Sequence, residues 1–258
     1  MNYHEVEERI KAGYREVTAQ YRLDDEVEVQ SENHRRLAGT LKRLCRLFPY
    51  PIAVLDVGCG TGRYFHCLEN VSHLTGIDIS EQMLAAAANP VRQQEITVTE
   101  TVLSRENAYL VSFPADSFDL IYSLGMFGHG CPVTVQITNR FCEWLKPGGI
   151  LFFDIVDFDG LPWWYRTRRR ARGCLYPLLP RTFKRMLDRR EERSPFFGLT
   201  KGQLEEILGE TRLDDFTVNS HECKSPLWTG RHLECLATKP RSASPVSLLC
   251  SSRSARSN

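Results

Sequence analysis

Apolar residues recur at helical spacing through the first fifty positions. Between 3 and 22, Val6, Ile10, Val17 and Tyr21 stand among charges, which predicts an amphipathic helix. The acidic run 24–31 reads as a connection. Over 33–48, Leu37, Leu41, Leu44 and Leu47 fall on one stripe, predicting a second helix that Pro49 and Pro51 stop. At Ile52 the rhythm changes. Short apolar runs predict strands over 52–57, 74–79, 96–103, 118–123 and 150–156, with helices over 61–69, 81–88 and 134–145 between them. Because these strands lack polar alternation, a parallel sheet covered on both faces is expected. A further helix over 202–208 and an antiparallel hairpin of strands 216–221 and 232–238 close the pattern at the sheet edge.

Composition narrows the class. The chain has 258 residues, 42% of them hydrophobic, enough for a core, and its formal net charge of +1 does not suggest a nucleic-acid binder. Charge is uneven, however: residues 166–193 hold 11 Arg and Lys against three acids. Nine cysteines are scattered and never in C-x-x-C spacing, which fits reduced thiols better than disulfides or a zinc site; no metal is expected. The first residues are polar and acidic, without the apolar core of a signal peptide, and no stretch approaches the ~20 apolar residues that span a bilayer. The expected compartment is the cytoplasm.

The chemistry concentrates where the first strand ends. Asp56-Val57-Gly58-Cys59-Gly60-Thr61-Gly62 is a glycine turn between a strand and a helical pattern, a setting that can bind a dinucleotide, a phosphate or another nucleoside cofactor. Arg63 stands where a dinucleotide fingerprint needs its third glycine, and the Lys-Ser/Thr pair of a P-loop is absent. Asp56 would repel a pyrophosphate but favour an ammonium group. Asp78, 18 residues after Gly60 at the end of the second strand, is placed to accept from both ribose hydroxyls.

With these residues the chain resembles the class I S-adenosylmethionine-dependent methyltransferases, over about 52–156 and more loosely to 238. The segment 56–62 matches that family's first motif without departure, and Gly76-Ile77-Asp78-Ile79-Ser80 followed by Met83-Leu84 resembles its second. The resemblance implies S-adenosylmethionine as cofactor, with Asp78 on the ribose and Ile79 and Met83 flanking the adenine. It places Asn107-Ala108 where the family usually carries Asp-Ala; an Asn oxygen can accept from the adenine amino group without charge. Cys59 in the loop and Ser123 at the end of the fourth strand complete the expected cofactor contacts. Lys146-Pro147-Gly148-Gly149 matches the family's turn before the fifth strand. The implied architecture is a Rossmann-like α/β fold: a seven-stranded, mostly parallel sheet with helices on both faces. An N-terminal helical cap takes 1–50, the methyltransferase domain 51–240 with an insertion at 161–193, and a disordered tail 241–258.

The implied activity is transfer of a methyl group to an O, N or S atom of a small molecule. Positioning alone accelerates such a step by up to roughly 7–11 kcal/mol, so a general base is optional. His129, in the glycine-rich run after the fourth strand, is the candidate base; capping the next helix or facing solvent is its alternative role. Asp154, Asp157 and Asp159 are weaker candidates. No Asn-Pro-Pro-Tyr motif follows the fourth strand, which argues against base or glutamine N-methylation. Tyr14, Tyr21 and His34 on the cap, and Trp163 and Trp164 in the insertion, are the candidate substrate contacts. The insertion interleaves aromatics with arginines and has three readings: a lid over an apolar or acidic small substrate, a segment meeting anionic lipid headgroups, or a grip on RNA. The lid is favoured, peripheral membrane contact comes second, and nucleic acid is disfavoured. An RNA or protein methyltransferase and a non-catalytic cofactor-binding regulator are the alternative functions.

Overall fold

The computed structural model describes residues 20–128, 131–167, 197–227 and 229–241. Seven strands, β1 (Ile52–Val57), β2 (Val71–Asp78), β3 (Glu100–Arg105), β4 (Phe118–Phe127), β5 (Leu145–Val156), β6 (Asp214–Lys224) and β7 (Thr229–Thr238), form one sheet in the order β3-β2-β1-β4-β5-β7-β6. The first five run parallel; β7 lies antiparallel between β5 and β6. Strand order reverses at β1/β4, so the crevice of this open sheet opens at the carboxyl ends of those strands.

Successive residues of the central strands bury on opposite faces. Leu55, Ile121, Leu151 and Phe153 join one core with Phe127, Phe141 and Trp144. Val54, Leu120, Tyr122 and Phe152 join the other with Leu41, Leu44 and Leu74. This is why the strands read as continuous apolar runs.

The helices begin at side-chain caps. Helix α1 (Glu32–Arg46) starts where Ser31 Oγ accepts from His34 N at 3.0 Å, and α2 (Glu81–Ala87) starts at Ser80. Thr134 caps α3 (Val135–Trp144), and Thr200 with Gln203 forms a reciprocal capping box on α4 (Lys201–Gly209). Residues 20–28 are also helical. The sequence reading of 24–31 as a connection is thereby corrected. Two of its acids turn inward: Asp25 accepts from Thr61 and Arg63, and Glu28 accepts from Ser225.

A second correction concerns 61–69, expected to be an α-helix. Only Phe65–Cys67 forms a 3-10 turn. Gly62 N donates to Cys59 O at 2.9 Å and Phe65 N to Gly62 O at 3.1 Å, so the chain turns tightly twice. The weak helix formers Tyr64, Phe65, His66 and Cys67 give the turn no reason to propagate before β2 begins at Val71. The third difference is that the turn at 146–149 lies within β5, which starts at Leu145 directly after α3.

Candidate functional site

Beyond the end of β1 the chain passes through the glycine loop. Gly58, Gly60 and Gly62 all take positive φ (75°, 53° and 74°), a region that side-chain-bearing residues rarely adopt. At Gly58 a Cβ would meet Met126 Sδ at 2.8 Å, whereas at Gly60 it would point into open space, the cavity itself. Gly58 N and Cys59 N both donate to Ile77 O, at 2.8 and 3.0 Å, which fastens the loop to β2.

Two carboxylates flank the loop. Asp56 is 3% exposed and has no ion pair among the described residues. Burial pushes its pKa up to about 8; the Tyr122 phenol pulls the other way, without a hydrogen bond of ordinary geometry, and Asp78 adds to the rise. An ammonium ion beside Asp56 would supply the missing countercharge. Asp78 accepts from Gly60 N at 3.0 Å and Ser80 N at 2.9 Å, one bond to each oxygen, so β2 and the loop hold its carboxylate in place. Its pKa is raised by burial against the lowering effect of those backbone donors. Each Asp78 oxygen keeps lone-pair capacity for a further donor.

On the β2 and β3 side the cavity is lined by Ile79, Met83, Asn107 and Ala108. Asn107 Oδ1 accepts from Tyr109 N at 3.0 Å, a local turn that fixes the amide.

The opposite wall comes from the end of β5 and the start of β7. Asp154 Oδ1 accepts from Gly125 N at 2.6 Å, and its Oδ2 lies 2.6 Å from His232 Nδ1. Both residues are buried and both line the cavity. Burial lowers the pKa of His232, but the charge and hydrogen bond of Asp154 outweigh it, and the net shift is upward. A histidine that donates through Nδ1 to a carboxylate offers Nε2 as a proton acceptor when neutral. The hairpin could have disclosed His232. In antiparallel register the first residues of β7 pair with the last of β5, and Val156 is opposite His232.

The cap side of the cavity contributes Tyr21, Glu28, Arg63 and Tyr64. Of these, Glu28 and Tyr64 went unnoticed in the sequence because nothing in their spacing marks them, and Arg63 was read only as standing in place of a third glycine. Gly62 stands behind the loop, where a Cβ would meet the Phe65 ring at 2.7 Å. The Ser123 hydroxyl is fully buried and donates to Val57 O at 2.8 Å, tying β4 to β1 without lining the cavity. His34 lies behind the wall, its ring stacked on Tyr64 at 4.9 Å. Trp163 and Trp164 are 72% and 55% exposed and do not line the cavity. Tyr14, His129 and positions 168–193 of the insertion lie outside the described residues.

Residues 54–149 match the family model for a methyltransferase domain. A ubiquinone biosynthesis O-methyltransferase of Coxiella burnetii is 30% identical over 105 residues, 40% of this chain and 43% of the relative. A demethylmenaquinone methyltransferase of Listeria welshimeri is 31% identical over 115 residues, 43% of this chain and 48% of the relative. The chain thus spans less than half the length of these curated relatives. Among solved structures, the phosphoethanolamine N-methyltransferase 2 of Haemonchus contortus, in complex with phosphomonomethylethanolamine and S-adenosylhomocysteine, superposes with a TM-score of 0.57 at 17% identity, covering 80% of this chain and 53% of that one. The magnesium protoporphyrin IX methyltransferase of Synechocystis PCC 6803 with bound S-adenosylhomocysteine gives 0.52 at 14% identity, covering 80% and 83%. Residues 54–149 thus match a methyltransferase domain, and the sheet shares its fold with these two methyltransferase structures.

Proposed function

We propose that this protein transfers a methyl group from S-adenosylmethionine to an O, N or S atom of a small molecule. The observation that carries the reading is a pair of carboxylates across an open glycine loop: buried Asp56, lacking a cationic partner among the described residues, and half-buried Asp78, held by Gly60 and Ser80. These residues fit the cofactor. Asp56 would hold its ammonium group and Asp78 its ribose hydroxyls, while Ile79 and Met83 would flank the adenine and Asn107 and Ala108 its amino edge. When bound, the cofactor supplies an electrophilic sulfonium methyl. In this assignment Gly62 and Ser123 shape the loop and the strand end instead of touching the cofactor.

His232 would be the group that takes the acceptor's proton, at Nε2. Asp154 orients the imidazole and stabilises the cation that forms. Arg63 and Tyr21 on the same cavity support a small substrate with acidic or aromatic character. His129 remains the rival base, and the two histidines are separable: His232→Ala is expected to lower kcat by roughly 10²–10⁴-fold with cofactor affinity intact, and His129→Ala to leave kcat within a few fold. The opposite pattern would reassign the base.

The two exposed tryptophans on helical residues 163–167 support a peripheral membrane contact as the second reading of this segment. A Trp163→Ala/Trp164→Ala variant that sediments with anionic vesicles as well as wild type would remove it. Among the described residues seven cysteines are free, six of them buried, which supports placement in the reducing cytoplasm. No helix among the described residues is long and apolar enough to cross a membrane.

The direct test is incubation of the protein with methyl-labelled cofactor and a small-molecule extract, followed by mass spectrometry. Label is expected in a small molecule. Asp78→Ala is expected to abolish both labelling and cofactor binding; equal binding by that variant would sink the site assignment.

A further inference from the structure

Outside the cavity, three donor atoms meet in the buried seam between α1 and the turn after the glycine loop. His34 Nε2 and His66 Nε2 are 3.4 Å apart; Cys67 Sγ lies 3.4 Å from His66 Nε2 and 3.9 Å from His34 Nε2. All three residues are buried, and their ligand atoms lie within 4.8 Å of one another. We propose that His34, His66 and Cys67 form a binding site for one zinc-type divalent ion.

The spacing carries the proposal. Zinc takes nitrogen at ~2.0–2.1 Å and thiolate at ~2.3 Å, so adjacent donors of a tetrahedron stand roughly 3.3–3.6 Å apart. The observed separations straddle that edge length, while an N–H···N hydrogen bond is best below ~3.2 Å. The nitrogen inventory agrees. Nδ1 of both rings is buried without a hydrogen-bond partner, so neither ring has a second contact that fixes its proton on the inward-facing Nε2. The two ring planes lie within 18° of each other, which sets the two Nε2 atoms side by side.

Ion binding displaces the Cys67 thiol proton, and the thiolate then supplies one negative charge to the site. Two imidazoles and one thiolate suit zinc and leave a fourth position for water.

The ion would clamp α1 to the loop region. His34 comes from α1, His66 and Cys67 from the turn, and His34 stacks on Tyr64 of the cavity wall. The proposal does not depend on methyl transfer.

Chelator-treated, reduced full-length protein titrated with Co²⁺ provides the test. The expected result is one ion per chain, a thiolate-to-cobalt charge-transfer band, and displacement by Zn²⁺. His66→Gln and Cys67→Ser, shown folded by circular dichroism, should each weaken uptake by ~10-fold or more, and Cys142→Ser should not. Absence of uptake, a cobalt spectrum without the thiolate band, or uptake unchanged in both site variants would overturn the site. X-ray absorption of the zinc-loaded wild type decides the matter should the variants fail to fold: one sulfur and two imidazoles support it, and a shell without sulfur refutes it.

Discussion

Asp56 is a carboxylate held against its own solvation preference. Its pKa near 8 means that the cofactor-free fold binds a proton which the unfolded chain, titrating near 3.8, releases. Between those values the native state carries more protons than the unfolded one, so stability falls as pH rises through the window. Asp56→Asn removes the titration. Thermal melts of the cofactor-free variant should show a higher Tm than wild type above pH 8 and a flatter pH dependence from 4 to 8. Its affinity for S-adenosylmethionine should drop by roughly 10–100-fold, the worth of a charge-assisted hydrogen bond. A variant that lost stability at high pH would contradict the account of Asp56. At His232 the native pKa is raised too, so its contribution to stability likewise falls as pH rises, while its effect on activity runs the other way. Asp154 holds its pKa above 6.5 despite burial, so a base at this position gains activity as pH rises through the raised value. Asp154→Asn should move that limb of the kcat/KM profile to lower pH and reduce kcat. The sequence displayed Asp56 and Asp78 because a contiguous motif positions both. It showed His232 only indirectly, through the β5/β7 register, because the partner that gives it a role lies 78 residues away.

At the scale of elements, the parallel sheet is tied together at the end opposite the cavity. Asp119, at the start of β4 and 1% exposed, accepts from Ala53 N at 2.9 Å, Tyr50 OH at 3.2 Å and Lys146 Nζ at 2.7 Å. One carboxylate thus joins the beginnings of β1, β4 and β5. Asp119→Ala leaves the buried donor of β1 unpaired and is expected to cost about 2–4 kcal/mol in denaturant unfolding. Cofactor affinity should stay within a few fold, because the site lies at the other end of the strands. Apolar runs made most elements legible: β1 and the helix over 81–88 fall within one residue of expectation. The failures have physical causes. The acidic run 24–31 reads as a connection, yet Asp25 and Glu28 find partners at Arg63 and Ser225, and the stretch to Glu28 folds as helix. The turn after Gly62 has a helical pattern on paper, but its aromatic residues and tight reversal stop at a single 3-10 turn.

For the whole molecule, the decisive feature is that one cavity gathers residues from the helical cap, five strands and the glycine loop. Tyr21 and Glu28 come from the cap, Asp56 and Asp78 from β1 and β2, Asp154 and His232 from β5 and β7. The parallel sheet followed from strand–helix alternation, whereas its strand order and switch point come from the structure. Assembly of the cap wall, like that of the His34–His66–Cys67 cluster, depends on contacts between segments far apart in sequence, which periodicity does not encode. A ligand spanning those walls stabilises every element that contributes to them. S-adenosylhomocysteine at 100 times its Kd should add about 2.7 kcal/mol to unfolding free energy. For a chain of this size that is a rise in Tm of about 5–10 °C, readable by calorimetry. Adenosine and homocysteine, offered singly at the same concentration, engage only the Asp78 or the Asp56 end and should each shift Tm by much less. The full ligand should also lose part of its shift in Asp56→Asn, since the ammonium contact is then missing. Equal shifts from the whole ligand and from adenosine alone would show that the Asp56 end is not used, and the orientation assigned to the cofactor would have to be reversed or abandoned.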